Sequence, residues 1–168
     1  MGEVMRRILT MLLVSIAALA CAAPDAPPGT AASDAIAHVL DDWHAAAAAA
    51  DEQRYFAHFA PEGVFLGTDA TERWTVEEFR EYAHPHFAAG QGWAYVPHDR
   101  HVRLSGSGPL AWVDEKLTNE KYGELRGTGV LRKIDGEWKL AHYSLTFTIP
   151  NERTVEVVAV IRERNPED

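Results

Sequence analysis

The pattern of apolar and polar positions divides the chain into a helical first half and a strand-rich second half. Apolar residues recur at helical spacing from Ser33 or Asp34, either of which can cap the helix, to about Ala50. A second, shorter helix is predicted from Glu52 to Phe59, ending before Pro61 and Gly63. Four strands follow later in the chain, over 93–105, 110–119, 123–134 and 137–149. The segment after Pro150-Asn151 alternates too little to be assigned.

Between these halves lies a short strand, Val64 to Leu66, that breaks at Gly67 into a polar loop ending at Trp74. Thr75 and Glu78 then form a Ser/Thr-x-x-Glu capping box, which predicts a helix from Val76 to about Ala83. The His84-Pro85 step is expected to interrupt or bend that helix. A polar loop held between a strand and a capped helix is typical of the rim of a pocket.

Two turns allow the register of the last three strands to be predicted. The Asp135-Gly136 pair is typical of a two-residue hairpin turn, so Ile134 should face Glu137. This register sets Gly129 opposite His142 and Gly127 opposite Ser144. A tight turn at Glu120-Lys121 would set Asp114 opposite Gly127 and Glu115 opposite Arg126.

These registers predict a ligand pocket on one sheet face. Facing glycines lower the floor of a sheet and leave room for a ligand or a bulky neighbour. The polar groups above that floor would be Asp114 and His142, which are also the best candidates for proton-transfer catalysis. A structural hydrogen bond or a passive cavity lining is nevertheless the favoured interpretation of the pair, because such pairs also occur in purely structural networks. The predicted pocket comprises Trp43, Tyr55, Trp74, Trp112, Asp114, Gly127, Gly129, His142 and Ser144, although the aromatic residues among them could simply belong to the core.

Other polar residues have simpler interpretations. Glu115 and Arg126 are expected to form a cross-strand ion pair that fixes register, with an anion clamp by Arg126 as the alternative. Asp69, Glu72 and Arg73 are expected to bond one another and hold the polar loop. The closest histidine pairs, His84 with His86 and His98 with His101, lack the spacing of a zinc helix, so no metal is predicted. No motif for a phosphate, a dinucleotide or a nucleophilic Ser or Cys is present, so no cofactor is predicted.

The first 20 residues are predicted to be a signal peptide, and residues 21–33 a tether. Arg6 and Arg7 precede an apolar run from Ile8 to Ala20, which is short for a membrane span but typical of a signal peptide. Cys21, the only cysteine, follows at once and is the predicted lipidation site. This arrangement resembles a bacterial lipoprotein signal, although Ala18 stands where a leucine is usual. The predicted location is the cell envelope, lipid-anchored or as a free periplasmic or secreted protein; cytoplasmic residence is the remaining alternative.

Length and charge narrow the class of protein. A chain of 168 residues with 46% hydrophobic content predicts one packed domain. The formal net charge of −9 argues against nucleic acid as a partner, because phosphate binding needs a basic face. Both faces of the predicted sheet are largely apolar, so helices are expected to cover one and a second subunit the other.

Three segments resemble the SnoaL-like branch of the nuclear transport factor 2-like superfamily: Phe65 to Trp74, Ala111 to Glu115, and Gly127 to Tyr143. The resemblance covers residues 34–150 and leaves 151–168 as a C-terminal extension. It implies an α+β fold in which a cone-shaped, strongly curved antiparallel sheet (a cystatin-like roll) and N-terminal helices enclose a pocket. It also implies a homodimer.

The same resemblance fits several activities, because this superfamily includes isomerases, dehydratases, cyclases and binding proteins. The predicted function is to bind a small, mostly apolar ligand. The first alternative is a proton-transfer enzyme of the isomerase, dehydratase or cyclase type that uses the same pocket. The second is a non-catalytic dimeric assembly module whose cavity is filled by Trp74, Trp112 and Trp138.

Overall fold

The computed structural model describes residues 28–106 and 108–164. The predicted signal peptide and Cys21 lie outside these residues. In chain order the elements are α1 (Pro28–Ala48), α2 (Glu52–Ala57), β1 (Phe59–Leu66), β2 (Arg73–Thr75), α3 (Val76–Ala88), β3 (Val96–Leu104), β4 (Leu110–Asn119), β5 (Gly123–Ile134), β6 (Glu137–Phe147), a 3₁₀ turn (Asn151–Arg153) and α4 (Thr154–Arg164).

The strands form one curved sheet in the order β2-β1-β6-β5-β4-β3, with helices packed against its inner face. The predicted α+β class is confirmed. The sheet is mixed, however, because β1 pairs with β6 in parallel while every other pairing is antiparallel. None of the helices among residues 28–106 and 108–164 is long and apolar enough to cross a membrane.

Two helices extend beyond a predicted end, whereas α2 stops at Ala57, two residues short of the predicted Phe59. Helix α1 begins at Pro28, so residues 28–33 of the predicted tether are helical. A proline fits the first turn of a helix because its missing N–H would have no partner there. Helix α3 continues through Pro85 to Ala88 instead of stopping near Ala83. Its buried face of Phe79, Ala83 and Phe87 keeps packing on the core past the proline, and this outweighs the lost backbone bond.

Strand β1 begins at Phe59, where the sequence predicted the end of a helix. Pro61 and Gly63 lie inside this strand. The pairing with β6 shifts between Phe59 and Val64, so the proline occupies an irregular stretch where no donor is required. The predicted capping box at Thr75 and Glu78 is confirmed, with both reciprocal hydrogen bonds present.

The hairpin between β5 and β6 starts as predicted and then slips by one residue. Asp135 and Gly136 have φ of 51° and 89°, as a two-residue turn of this kind requires, and Ile134 faces Glu137. The register shifts between Val130 and Leu131, because Leu131 pairs with Leu140 but Val130 pairs with His142. Ala141 is therefore the extra residue of a bulge. The predicted pairings of Gly129 with His142 and of Gly127 with Ser144 are wrong; the partners are Tyr143 and Leu145.

The turn between β4 and β5 holds three residues, not two. Asn119 pairs with Gly123, whose φ is 74°, and the Asn119 side chain accepts the N–H groups of Lys121 and Tyr122. The predicted partners of Asp114 and Glu115 are consequently wrong by one position. Glu115 lies opposite Gly127, and Asp114 lies opposite Thr128. Directly paired residues share a face, so Glu115, Gly127, Gly129 and Tyr143 all face the helices.

Candidate ligand cavity

A cavity of about 260 Å³ opens between the inner face of the sheet, the helices and the loop that follows β1. Eleven of the eighteen described residues that line it are phenylalanine, tyrosine or tryptophan. The lining comprises Trp43, His44, Ala47, Tyr55, Phe65, Gly67, Thr68, Glu72, Trp74, Phe79, Tyr82, Trp93, Tyr95, Leu117, Tyr122, Tyr143, Leu145 and Phe147.

The rings of the lining are held in fixed stacks. Trp43 stacks on Tyr55 with ring centroids 5.2 Å apart and an interplanar angle of 21°. Trp74 stacks on Phe79 at 5.4 Å and on Tyr82 at 4.8 Å, with angles of 3° and 20°. Offset stacks of this kind add stability beyond the area they bury. The flat walls of the cavity are therefore formed by side chains that support one another.

The cavity has a mouth and a floor. Tyr82, Tyr122 and Phe147 are 48%, 46% and 42% exposed, so these rings mark the entrance. Tyr55 and Tyr143 are each 1% exposed and lie at the closed end. Large aromatic side chains that remain half exposed around an opening are typical of a binding cleft.

A buried polar network lies at the closed end, centred on Glu115. This carboxylate is 2% exposed. Its Oε1 accepts the hydroxyl proton of Tyr143 at 2.7 Å and lies 2.9 Å from Nε2 of His44. Its Oε2 accepts from Nε of Arg100 at 2.6 Å. His44 and Tyr143 line the cavity, so they connect Glu115 to the ligand space.

The network keeps the buried carboxylate charged. Burial pushes the pKa of Glu115 upward, but the hydrogen bonds and charges of His44, Arg100 and Tyr143 outweigh burial and leave the pKa below its usual value. Burial, reinforced by the Glu115 charge, raises the pKa of Tyr143 well above its usual value. The Tyr143 hydroxyl therefore stays protonated and acts as a donor. When His44 is neutral, the acceptor Glu115 favours the tautomer that carries the proton on Nε2.

Arg100 reaches this network because β3 is irregular. The pairing of β3 with β4 shifts between His98 and His101, and Asp99 adopts a φ of 47°. Arg100 consequently points beneath α1. One terminal nitrogen donates to the Ala37 carbonyl at 3.0 Å and to Asp41 at 2.8 Å. Arg100 thus ties the first helix to the sheet as well as balancing the Glu115 charge.

The structure separates the predicted pocket residues into three groups. Trp43, Tyr55 and Trp74 line the cavity. Gly127 and Gly129 face inward but lie beneath Tyr143: a Cβ on Gly127 would fall 1.8 Å from its hydroxyl oxygen, and one on Gly129 would fall 3.0 Å from its ring. The inward glycines thus make room for Tyr143 and not for a ligand.

The third group faces away from the cavity and comprises Trp112, Asp114, His142 and Ser144. The bulge at Ala141 and the three-residue turn each shift the register by one position, and a shift of one turns a side chain to the other face. The placement of Asp114 and His142 above the pocket floor is therefore wrong. Trp112 is 48% exposed on the outer face.

Three residues of the buried network were not predicted from the sequence or were predicted with another partner. His44 could have been found, since it follows Leu40 by four residues and precedes Ala47 by three, and both are buried. Glu115 was expected to pair with Arg126, but it pairs with Arg100 because its strand position faces inward. The sequence pattern did not indicate that Arg100 joins this network, because only the irregular pairing of β3 with β4 directs its side chain beneath α1.

The polar loop is held largely as expected. Glu72 accepts the backbone N–H of Asp69 at 3.1 Å, and Asp69 accepts the N–H and hydroxyl of Thr71. The predicted bond of the Arg73 side chain to Asp69 or Glu72 is not seen among the described residues. Across residues 28–106 and 108–164, no three His, Cys, Asp or Glu side chains lie close enough to hold a metal ion.

Comparisons with known proteins agree with this architecture. The model of the SnoaL-like domain family matches residues 36–150. A domain of unknown function with a cystatin-like fold from Nostoc punctiforme superposes with a TM-score of 0.65 at 18% identity, covering 77% of this chain and 85% of that one. An NTF2-like protein of unknown function from Pseudomonas putida gives 0.62 at 18% identity, covering 73% and 91%.

A third solved structure carries a named activity. It is described as a candidate scytalone dehydratase from Novosphingobium aromaticivorans, and it superposes with a TM-score of 0.60 at 13% identity, covering 72% of this chain and 87% of that one. At this identity the likeness concerns the fold alone. No curated protein shows a significant sequence match to the chain.

Proposed function

The chain belongs to the SnoaL-like domain family, and we propose that it binds a small, mostly apolar molecule containing a flat ring. The observation that carries this proposal is the cavity of about 260 Å³ walled by eleven aromatic side chains and open at one end. Such a ligand would pack against ring faces that their neighbours already hold in place, so binding would cost little side-chain conformational entropy. The few polar groups of the lining would set its orientation.

This proposal is tested by titrating the protein with naphthylmethanol, a neutral compound with a flat ring system, in a calorimeter. The variant Ala47→Leu fills the cavity from α1 and should weaken binding at least tenfold. The variant Ala45→Leu makes the same change at an exposed position of the same helix and should bind as the native protein does. Equal affinity of both variants, or no binding to the native protein, would overturn the proposal.

The buried network favours a second function, proton transfer to or from a molecule in the same cavity. His44 faces the cavity with its Nε2 held by Glu115, so Nδ1 is left as the basic nitrogen, and Tyr143 donates to the same carboxylate. An imidazole oriented by a carboxylate is a common arrangement for general bases. The structural neighbour described as a candidate dehydratase is consistent with such chemistry on this fold.

A general test uses nitrobenzisoxazole, a flat compound that loses a ring C–H proton to a base while its N–O bond breaks to give a cyanophenolate. We expect the native protein to accelerate this elimination beyond the rate in buffer, and His44→Gln to abolish the acceleration. His142→Gln, on the outer face, should leave it unchanged. An equal effect of both variants would count against His44 as the base.

We propose further that the protein is exported and lipid-anchored through Cys21, with homodimer formation on the outer sheet face. The full chain expressed in a bacterium should partition into detergent, and Cys21→Ser should move it to the aqueous phase. Aqueous partitioning of the native chain would contradict lipidation.

The assembly-module alternative predicted a cavity filled by Trp74, Trp112 and Trp138. It loses this support, because Trp112 lies on the outer face and cannot fill the cavity.

A further inference from the structure

The charged groups of the cavity are distributed unevenly. Among the eighteen lining residues there is one carboxylate, that of Glu72, and there is neither a lysine nor an arginine. Glu115 lies behind the lining and is already balanced by Arg100 and hydrogen-bonded to His44. The carboxylate of Glu72 differs from that of Glu115. It accepts a hydrogen bond from the Asp69 N–H, and no cation among the described residues forms an ion pair with it.

Glu72 is held close to the mouth of the cavity. Its carboxylate folds over Gly67, where a Cβ would fall 2.1 Å from Oε2, and both residues line the cavity. Only a residue without a side chain allows this approach. The backbone bond from Asp69 fixes the carboxylate from the other side of the loop. The loop therefore presents a negative charge in a defined position at the opening.

Tyrosine rings surround the same opening. All five tyrosines of the chain line the cavity; Tyr82 and Tyr122 are half exposed at its mouth, and Tyr95 is half-buried. Burial raises the pKa of Tyr95, and the proximity of Tyr122, Tyr82 and Glu72 acts in the same direction. Tyr82, Tyr95, Tyr122 and Glu72 all line the cavity. The Lys121 ammonium lies 4.8 Å from the centroid of the Tyr122 ring but does not line the cavity.

A carboxylate among electron-rich rings attracts cations, because the face of each ring carries partial negative charge. We propose that the ligand is a cationic aromatic or alicyclic amine, with its ammonium group between Glu72 and the mouth tyrosines and its ring between the inner aromatic walls. An anionic ligand would meet Glu72 with no compensating cation and is disfavoured. This inference rests on the proposed binding function and specifies the class of its ligand.

The test compares three compounds that share a naphthyl ring: naphthylmethylammonium, naphthylmethanol and naphthoate. Calorimetric titration at neutral pH and low salt should give the order cation, neutral, anion, with the cation about tenfold tighter than the alcohol. The preference of the native protein for the cation over the alcohol should shrink as sodium chloride is added. This salt dependence requires no variant and so does not depend on how any substitution folds.

The variant Glu72→Gln keeps the acceptor for Asp69 but removes the charge. It should bind the cation no better than the alcohol, so that the ratio of the two affinities falls to about one. Glu77→Gln, an equal charge change at an exposed position outside the cavity, should retain the preference. Binding of the alcohol without any charge preference would overturn this inference and leave the proposed function intact. Binding of none of the three compounds would overturn both.

Discussion

Asp114 and Glu115 are consecutive acidic residues of β4 that face opposite sides of the sheet. Asp114 is exposed, whereas Glu115 is buried and lies within hydrogen-bonding distance of three side chains, those of His44, Arg100 and Tyr143. A buried carboxylate of this kind stabilises the fold only while its partners remain, because removing one charge leaves the other without compensation in a medium of low dielectric. The two residues therefore form a natural matched pair for mutagenesis.

Replacing Glu115 by glutamine should lower the free energy of unfolding by about 2–4 kcal/mol, since Arg100 would keep a largely buried charge with only the exposed Asp41 as its counterion. Asp114→Asn should change it by less than about 0.5 kcal/mol. Urea denaturation of both variants measures the difference. Equal small effects would show that Glu115 is not the centre of a buried network.

The lowered pKa of the Glu115 carboxyl makes the free energy of unfolding depend on pH. The pKa of Glu115 is lowered on folding, so its contribution is present above its ordinary value of 4.5 and is lost as the pH falls through the lower folded value. Asp42 acts in the same sense: its hydrogen bond with Arg54, assisted by His58, lowers its pKa from 3.8 to about 2. The unfolding free energy should therefore decline on acidification below about pH 5. The decline should be shallower in Glu115→Gln, and parallel curves would contradict the assignment.

At the scale of elements, strands β4 to β6 were predicted from the sequence but their faces were not, and β2 was assigned to a loop. The bounds of β4 and β5 were predicted correctly because apolar runs ended at clear turn residues, and the capping box located the start of α3. The bulge at Ala141 and the three-residue turn after Asn119 carry no comparable signal. Because both faces of these strands are rich in apolar residues, hydrophobic pattern could not reveal a shift of one position. The pocket was therefore anticipated, but its polar centre was placed on the wrong face.

The observed register can be tested at Gly127. An alanine there would place its Cβ 1.8 Å from the Tyr143 hydroxyl oxygen, forcing that side chain to move and weakening its bond to Glu115. Gly127→Ala should therefore destabilise the protein by about 1–3 kcal/mol. The neighbouring substitution Thr128→Ala, on the outer face, should have an effect of less than about 0.5 kcal/mol. Thermal or urea unfolding of the two variants would distinguish the registers, since the opposite order of effects requires the opposite face.

At the scale of the whole molecule, the outer sheet face exposes apolar surface that the helices do not cover. Trp112 is half exposed there, and Leu110 on the same strand is also exposed. The uncovered face suits the proposed homodimer, in which two copies bury the same surface. The inner cavity and the outer face would then serve separate purposes, ligand binding and assembly.

The proposed dimer should depend on Trp112. Trp112→Glu places a charge in the centre of the interface and should convert the dimer into a folded monomer, as measured by sedimentation equilibrium. Tyr122→Glu, a similar change of an exposed aromatic at the cavity mouth, should leave the dimer intact. A native protein that sediments as a monomer would contradict this assignment of the outer face.

A crystal structure of the protein with naphthylmethanol would show whether the inner cavity is the ligand site. One ligand molecule is expected inside the cavity, its ring packed against the aromatic side chains of the lining, with the Glu115 network intact behind it. A ligand bound against Trp112 or His142 on the outer face, with the cavity closed by its own side chains, would contradict it.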